Sequence, residues 1–462
     1  MSLAIVPDSE AGRGLRRELG IRDLALFGIV GITGPRWIPA AAHAGPGSVA
    51  IWLLAGLVVG APLAVVVPAL MAKYPGPGGL YRWTRNDFGP AHGFIAFWLY
   101  WVGMAFWFPS AAIFYVTSSA YTFGPAYAHL ADSRTFLLCC SLACIWIALG
   151  SNLIGLKTGK WTENAGAIAV GVLGAILVAA AALHGGRQGS ATELNFVPKM
   201  DWRAVTFWAA IAYGITGAEY FGMMSAEIRS PERTVRPAIW LATASVVVLY
   251  AATTLALVVL LRPDQISEIG GIANGGEAAA QVFAAPWVSA GMGFLLLVNA
   301  FGCLGSVGTA ISRMPFAAGA DHLLPEAFGR VHPRWRTPHV ALITLGLVSS
   351  ALLLLTQLGD PMQVAYEELV SLMFVGGFLP YLYMFASAWK AGRQLASSIG
   401  FGVTLFCLLC GVIPSAEVRN VWLFGAKLAA GTAAMIGSGW LLYARGRARQ
   451  TFLSRERGWP KL

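Results

Sequence analysis

Two stretches of the chain echo each other: Gly31-Ile32-Thr33-Gly34-Pro35-Arg36-Trp37 and Gly214-Ile215-Thr216-Gly217-Ala218-Glu219-Tyr220. Each reads GITG, then a small or cyclic residue, a charge and an aromatic, and the two charges are opposite. Each lies mid-way along an apolar segment long enough to cross a bilayer. Glycine disfavours helix by about 1 kcal/mol relative to alanine and proline by about 3 kcal/mol, and Pro35 also removes a backbone donor. Both segments are therefore expected to break near their middle. Paired interrupted membrane segments at matching positions of two halves point to a transporter's binding site.

Composition agrees with a membrane setting. Of 462 residues 57% are hydrophobic and only 12% charged, and mean hydropathy is +0.64. A soluble protein carries about 25% charged residues, and so apolar a chain could not cover itself with polar surface. Cys139, Cys140, Cys144, Cys303, Cys407 and Cys410 all fall inside apolar segments, so they read as small buried hydrophobes rather than a disulfide or metal framework. No metal site and no cofactor is expected.

Spans of about 20 residues are expected near 24–44, 48–71, 92–120, 134–151, 162–183, 204–227, 238–261, 287–311, 339–357, 364–388, 398–414 and 421–443. Pro414 makes the eleventh irregular. Residues 1–22, with Arg13, Arg16 and Arg17, read as a cytoplasmic tail rather than a cleavable signal peptide. With both ends inside, the outer segments hold only Arg134, Arg187, Lys199, Arg203, Arg262 and Arg419, and only Arg36 and Lys427 lie within spans. Every other lysine and arginine falls on the inner side, which predicts cytoplasmic termini and an inner-membrane location. The formal net charge of +10 then reflects a basic membrane face, with no nucleic-acid partner.

An unwound turn at membrane depth survives only when buried in protein or lining a wet cavity. It offers free amides at one half-helix N-terminus, suited to a carboxylate, and free carbonyls at the other half's C-terminus, suited to an ammonium. Two such breaks side by side fit a zwitterion such as an α-amino acid.

Further motifs stand in order. Lys73-Tyr74-Pro75-Gly76-Pro77-Gly78-Gly79-Leu80-Tyr81 resembles a "P-x-x-G-G-x-Y" loop. Gly217-Ala218-Glu219, followed by Ser225 to Ile239, resembles "G-x-E … E-x-x-N-P-x-R-x-x-P-x-A-I". Ser312-Arg313, Ala320-Asp321-His322-Leu323-Leu324-Pro325 and Thr337-Pro338 resemble "S-R … D-G-x-L-P … T-P". On these residues the chain resembles the amino acid–polyamine–organocation (APC) superfamily, the bacterial amino acid permeases and antiporters, over most of its first ten spans.

The resemblance implies an all-α polytopic membrane protein of twelve transmembrane helices. These form a LeuT-type 5+5 inverted repeat with broken helices 1 and 6, plus two peripheral helices. The expected parts are tail 1–22, first repeat 23–185, second repeat 200–390, peripheral helices 396–444 and basic tail 445–462. Gly34, Pro35 and Arg36 take the place of the family's "G-S/T-G", whose amides hold the substrate carboxylate. Pro35 has no amide, and Arg36 puts a long cation where a glycine usually keeps the cleft open. Glu219 matches the glutamate many relatives carry on helix 6, Tyr213 an aromatic gate, and Tyr100 a helix 3 tyrosine facing the cleft. Candidate substrate-binding residues are thus Thr33, Gly34, Pro35, Arg36, Trp37, Tyr100, Tyr213, Gly214, Thr216, Gly217, Ala218 and Glu219. Arg36, Glu219 and Tyr213 are candidates for proton coupling or gating.

Intramembrane charges are costly and normally pair with each other along a substrate or ion path. Arg36 and Glu219 are therefore expected to pair, either as a fixed staple between helices or as a pair that opens during the cycle. Glu367 and Glu368 read as an interfacial helix start, with a second proton site as the alternative. Lys427 is expected to snorkel outward, and His43 and His92 to lie at the interface. A sodium site would use carbonyls of helix 1 with hydroxyls of helix 8, such as Ser306 and Thr309. Some relatives carry a lysine on helix 5 instead, and Asn164 to Gly171 contains none. Exchange or proton coupling is the expectation.

The expected function is secondary transport of an amino acid by alternating access, with the lipid bilayer as surroundings, a proton as candidate co-substrate, and a monomeric or homodimeric protein. Polyamine or organic-cation transport, or amino acid sensing without transport, are the alternatives. A channel fits the internal duplication poorly, and no Gly-x-Ser-x-Gly, His-Glu-x-x-His or phosphate loop suggests an enzyme.

Overall fold

The computed structural model describes residues 15, 17–122, 124–198, 202–267, 270–355, 362–411, 413 and 421–457. Apart from an isolated β-bridge between Leu19 and Ile228, the described residues are built from helices: α1 (Ile21–Ile32), α2 (Trp37–His43), α3 (Gly47–Ala55), α4 (Ala61–Lys73), α5 (Leu80–Phe88), α6 (Pro90–Thr122), α7 (Arg134–Leu153), α8 (Leu156–Gln188), α9 (Trp202–Gly214), α10 (Glu219–Met223), α11 (Pro231–Leu260), α12 (Gly271–Val282), α13 (Trp287–Ala320), α14 (His339–Leu355), α15 (Met362–Lys390), α16 (Gln394–Gly411) and α17 (Val421–Arg457). A π-turn at Gly56–Gly60 joins α3 to α4 into one span.

Nine described spans are long and apolar enough to cross a membrane, and the pair α1 and α2, bent by 49°, makes a tenth. The shorter apolar α14 and the interrupted α9 and α10 occupy the positions of the ninth and sixth expected spans. The molecule is an all-α polytopic membrane protein. Large apolar side chains such as Leu57, Trp161 and Trp422 stand fully outward on the helices, an arrangement that lipid tolerates and water does not.

Several expectations need correction. The second half of the sixth span, broken as expected, stops short of residue 227: α10 ends at Met223 and a 3-10 turn, Ser225–Glu227, follows. The eighth and twelfth spans run on past their expected ends, to Ala320 and Arg457; in the eighth the added residues, Ser312 to Gly319, are buried against their neighbours. Two helices, α5 and α12, lie in what read as connections. Cys139 is exposed and Cys140 half-buried on α7 rather than buried, and all six cysteines are free. Pro414 and the side chains of Glu367 and Glu368 lie outside the described residues.

Without a hydrophobic drive between them, membrane helices pack where small residues let backbones approach. Gly166 of α8 faces Gly302 of α13, where a Cβ on either would stand 2.8 Å from the other's Cα. Gly103 of α6 and Gly376 of α15 make a similar crossing. These contacts fix α8, α13, α6 and α15 around α1 and α10.

The motif residues converge at one end of the bundle, the end where the described chain begins. The Tyr81 hydroxyl (2.7 Å) and Arg85 Nη1 (2.6 Å) both donate to Asp321. Ser225 Oγ donates to Gly76 O at 2.6 Å. Gly79, at φ 45°, lies against α10, where a Cβ would come within 2.9 Å of Met223 Cγ; only glycine accepts both the left-handed backbone and the approach. Arg313 clasps Glu227 with two bonds of 2.9 and 2.8 Å, both side chains buried. The backbone of Leu19 pairs across Glu227 and Arg229.

Breaking a buried ion pair from one side strands the other charge, at a cost of about 3–5 kcal/mol, whereas apolar replacement of both is often tolerated. Glu227→Gln is therefore expected to lower the thermal unfolding midpoint in detergent sharply, and Glu227→Leu combined with Arg313→Met to recover most of it. A double variant no more stable than the single one would show that the pair is not the source of the loss.

Candidate functional site

The site is built from the two breaks. Between α1 and α2, residues Thr33–Arg36 leave the helix, and between α9 and α10 so do Ile215–Ala218. Backbone groups released at this depth must find partners. At the first break Gly34 N–H donates to the Tyr250 hydroxyl at 2.6 Å. The same hydroxyl lies 3.2 Å from Ile32 O and 3.4 Å from Gly34 O, so its single proton serves this pair of carbonyls. Cys303 Sγ reaches Thr33 O at 3.6 Å. Tyr250 is held by stacking on Trp52, centroids 4.3 Å apart, and the Trp52 indole donates to Thr254 Oγ1 at 3.1 Å. At the second break Gly217 N–H donates to Glu219 Oε2 at 3.0 Å. Gly217 has φ 127°, and a Cβ there would press within 3.0 Å of Ile32 Cγ1. A Cβ on Gly214 would stand 3.0 Å from Trp37 Cδ1. Glycines at both positions let the two breaks interlock.

The two charges do not pair. Among the described residues Arg36 and Glu219 form no ion pair. Arg36, 5% exposed, donates to Ser110 Oγ at 3.0 Å, reaches Met373 Sδ at 3.4 Å and lies 4.2 Å from the centre of the Trp37 ring. Glu219, 1% exposed, accepts from the Tyr100 hydroxyl at one oxygen, and from the Tyr381 hydroxyl and Gly217 N–H at the other. The physical reason is donor supply. Three donors engage both carboxylate oxygens locally, while the long guanidinium turns toward α6 and α15. The expectation of an Arg36–Glu219 pair is thus corrected.

A cavity of about 20 Å³ lies at the breaks, lined by Gly31, Gly34, Trp37, Tyr213, Thr216 and Tyr220 among others. That is room for a water, not for an amino acid. A second, of about 10 Å³, touches Gly34, Pro35 and Arg36; Trp107 borders both. Trp37, Tyr213 and Phe374 form an aromatic cluster beside the first: Trp37 stacks on Phe374 at 6.2 Å, and Tyr213 meets the Phe374 edge at 4.8 Å.

Of the residues singled out from sequence, Gly34, Trp37, Tyr213 and Thr216 reach the first cavity, and Gly34, Pro35 and Arg36 the second. Thr33, Tyr100, Gly214, Gly217, Ala218 and Glu219 line neither and are buried. Ser306 Oγ and Thr309 Oγ1 donate to Phe27 O at 3.2 Å and Glu163 Oε1 at 3.2 Å. His43 contacts Ile266 O at 2.8 Å, and His92 the Tyr383 hydroxyl at 3.0 Å. Sequence reading missed Tyr250, Tyr381, Ser110, Met373 and Glu163. Glu163 alone carried a signal, as an intramembrane carboxylate one residue before the segment searched for a lysine; the others are ordinary residues of apolar helices.

Two measurements test this geometry. Tyr250→Phe leaves an amide and a carbonyl at the first break without their partner, and each such loss costs about 1–3 kcal/mol; the thermal midpoint in detergent is expected to fall, and an unchanged midpoint would remove Tyr250 as the partner of the break. In double-mutant cycles of stability, Glu219→Gln and Tyr381→Phe are expected to couple by about 0.5–3 kcal/mol. Glu219→Gln and Arg36→Met are expected to be nearly additive, and strong coupling between them would restore the ion pair.

Comparison with known proteins agrees with the architecture. An uncharacterized transporter of Legionella pneumophila is 24% identical over 92% of this chain and 96% of its own length. The serine/threonine exchanger SteT of Bacillus subtilis is 24% identical over 72% of this chain and 76% of its own. Cationic amino acid transporter 4 of Mus musculus is 26% identical over 84% of this chain and 62% of its own. The sequence profile of the amino acid permease family matches residues 19–440. With its broken helices and motif loops placed as described, the chain belongs to the amino acid permease family of the APC superfamily, a family of transporters rather than enzymes.

Proposed function

We propose that the protein is a secondary active transporter that carries an amino acid across the bacterial inner membrane by alternating access, as a proton-coupled symporter or an exchanger. The observation that carries this reading is the small cavity between two interlocked helix breaks. A cavity of about 20 Å³ admits an amino acid only after helices move apart, and movement around a mid-membrane site is what alternating access requires. Its aromatic cluster, Trp37, Tyr213 and Phe374, sits where it can gate that movement. The basic residues of the inner segments support cytoplasmic termini.

Charge supports a substrate with a carboxylate. Arg36 is a buried cation with only neutral partners, so a substrate carboxylate can supply its missing counter-charge. The break amides are otherwise committed, Gly34 to Tyr250 and Gly217 to Glu219, which makes the guanidinium the better anchor. The carbonyls of Ile32 and Thr33 each keep a second lone pair for the substrate amine. A polyamine fits less well, because both oxygens of Glu219 are engaged by Tyr100, Tyr381 and Gly217 and no carboxylate lines either cavity.

Thermal-shift titration is expected to show stabilisation by one or more amino acids but not by sugars, nucleobases or polyamines, with uptake of the same compound into proteoliposomes. Arg36→Met is expected to weaken amino acid binding about 10- to 100-fold, the loss of one charged hydrogen-bonding partner. Stabilisation by a polyamine alone, or wild-type affinity in Arg36→Met, would sink the reading.

A further inference from the structure

Away from the cavity at the breaks, α8 carries a second buried carboxyl, Glu163, 1% exposed. One of its oxygens accepts from the Thr309 hydroxyl of α13 at 3.2 Å. Its other oxygen is buried without a hydrogen-bond partner among the described residues. The nearby cation, Arg313, is already committed: its Nε and Nη2 go to Glu227, and its Nη1 goes to Thr309 O and Ser312 Oγ. This buried cluster therefore holds one cation against two carboxyls, and its balance lacks one positive charge. Leaving such a carboxylate ionised and half-satisfied in a low-dielectric interior is costly.

The charged groups around Glu163 are few. Arg313 stands on α13, Glu227 in the turn after α10 and Asp23 on α1. On α8 itself, Lys160 lies one turn nearer the helix start. From α7 come Ser151, 3.5 Å from Thr162, and Asn152, packed at Gly159; neither ionises. Helices α11 and α12 meet α8 further along, at Gly174 and Leu177. A metal ion would need several oxygens. Here the side-chain oxygens brought together are those of Glu163 and the Thr309 hydroxyl, and among the described residues no group of three or more His, Cys, Asp or Glu side chains forms. A proton requires only the carboxyl.

We propose that Glu163 is a proton-binding site of the transport cycle, separate from the substrate cavity. Its route to water runs along the α8 face shared by Lys160, Glu163 and Asn164. Lys160 pairs with Asp23 at 3.3 Å, both side chains about a quarter exposed, and Asn164 donates to the other Asp23 oxygen at 3.4 Å. This half-wet group ties α1 to α8 directly below Glu163. Separation of α1 from α8 and α13 would admit water to the carboxyl and release its proton, COOH becoming COO⁻ with H⁺ passing to solvent. Rejoining would require the proton back, because the closed packing leaves the carboxylate uncompensated. Proton occupancy and helix position are thereby linked.

The inference rests on the transport reading for its role, but not for its chemistry, and the test separates the two. Infrared difference spectra of the full chain in lipid, between acidic and alkaline buffer, are expected to contain a buried carboxylic-acid carbonyl band that Glu163→Gln abolishes. Thr309→Val keeps the carboxyl and deletes its hydroxyl partner; it is expected to move the frequency of that band and the midpoint of its titration. A band that survives intact in Glu163→Gln, or stays unmoved in Thr309→Val, overturns the proposal. In proteoliposomes, Glu163→Gln is expected to lose the uptake of L-threonine driven by a proton gradient, while threonine counterflow at equal pH persists. Gradient-driven uptake at the wild-type rate in Glu163→Gln also overturns it. If the wild-type protein binds and carries no amino acid, the transport reading fails while the infrared bands still decide whether Glu163 holds a proton.

Discussion

Backbone freed at membrane depth must be paired, and the centre of this protein is arranged around that constraint. Two helices are interrupted side by side, and each interruption releases an amide. Gly34 N–H is received by the hydroxyl of Tyr250, and Gly217 N–H by the carboxylate of Glu219. Each receiver is in turn held: Tyr250 by stacking on Trp52, Glu219 by the hydroxyls of Tyr100 and Tyr381. The breaks are therefore not loose loops in a bundle. They are short backbone segments whose partners come from α6, α11 and α15, so the packing of those helices sets the shape of the cavity.

This pairing also explains why the opposite charges at matching positions stay apart. Symmetric placement in sequence brings Arg36 and Glu219 to equivalent breaks, but a carboxylate is satisfied by neutral donors at shorter reach than a guanidinium across the cleft. Glu219 takes its donors from tyrosines. Arg36 turns to Ser110, Met373 and the face of Trp37, a set of neutral and soft partners that leaves its charge available. A cation kept available next to the cavity at the breaks is what gives the substrate reading its chemical direction.

At the end where the described chain begins, the motif residues tie loops that are far apart in sequence. Tyr81 and Arg85 grip Asp321, and Arg313 grips Glu227. The backbone of Leu19 closes over the turn that carries Glu227. These contacts hold α1, α5, α10 and α13 together at that end, and any opening there has to loosen them together. Glu163 sits just inside this closure, tied through Thr309 to α13 and flanked by the Asp23–Lys160 pair.

Much of the architecture was legible in the sequence. Apolar runs of span length placed the helices, because the requirement for lipid is local and additive along the chain. The GITG repeats with Pro35 located the breaks, because glycine and proline act on their own backbone. The motif loops pointed to the family through their residue pattern, as in Lys73 to Tyr81, whereas the close approach of Gly79 to α10 belongs to the fold. The tertiary structure alone decided who partners whom. Tyr250, Tyr381, Ser110 and Met373 are ordinary residues of apolar helices until packing aims them at a break or a charge, and the separation of Arg36 from Glu219 follows from that aim. Helix ends past the apolar runs, as in α13 and α17, also escaped the hydropathy pattern; in α13 the added residues, Ser312 to Gly319, are buried by neighbours that only the fold supplies. Glu163 stood in the sequence as a rare intramembrane carboxylate; that it lacks a cation became visible only once Arg313 was seen to be spent on Glu227, because the balance of a buried charge is a property of its neighbours in space.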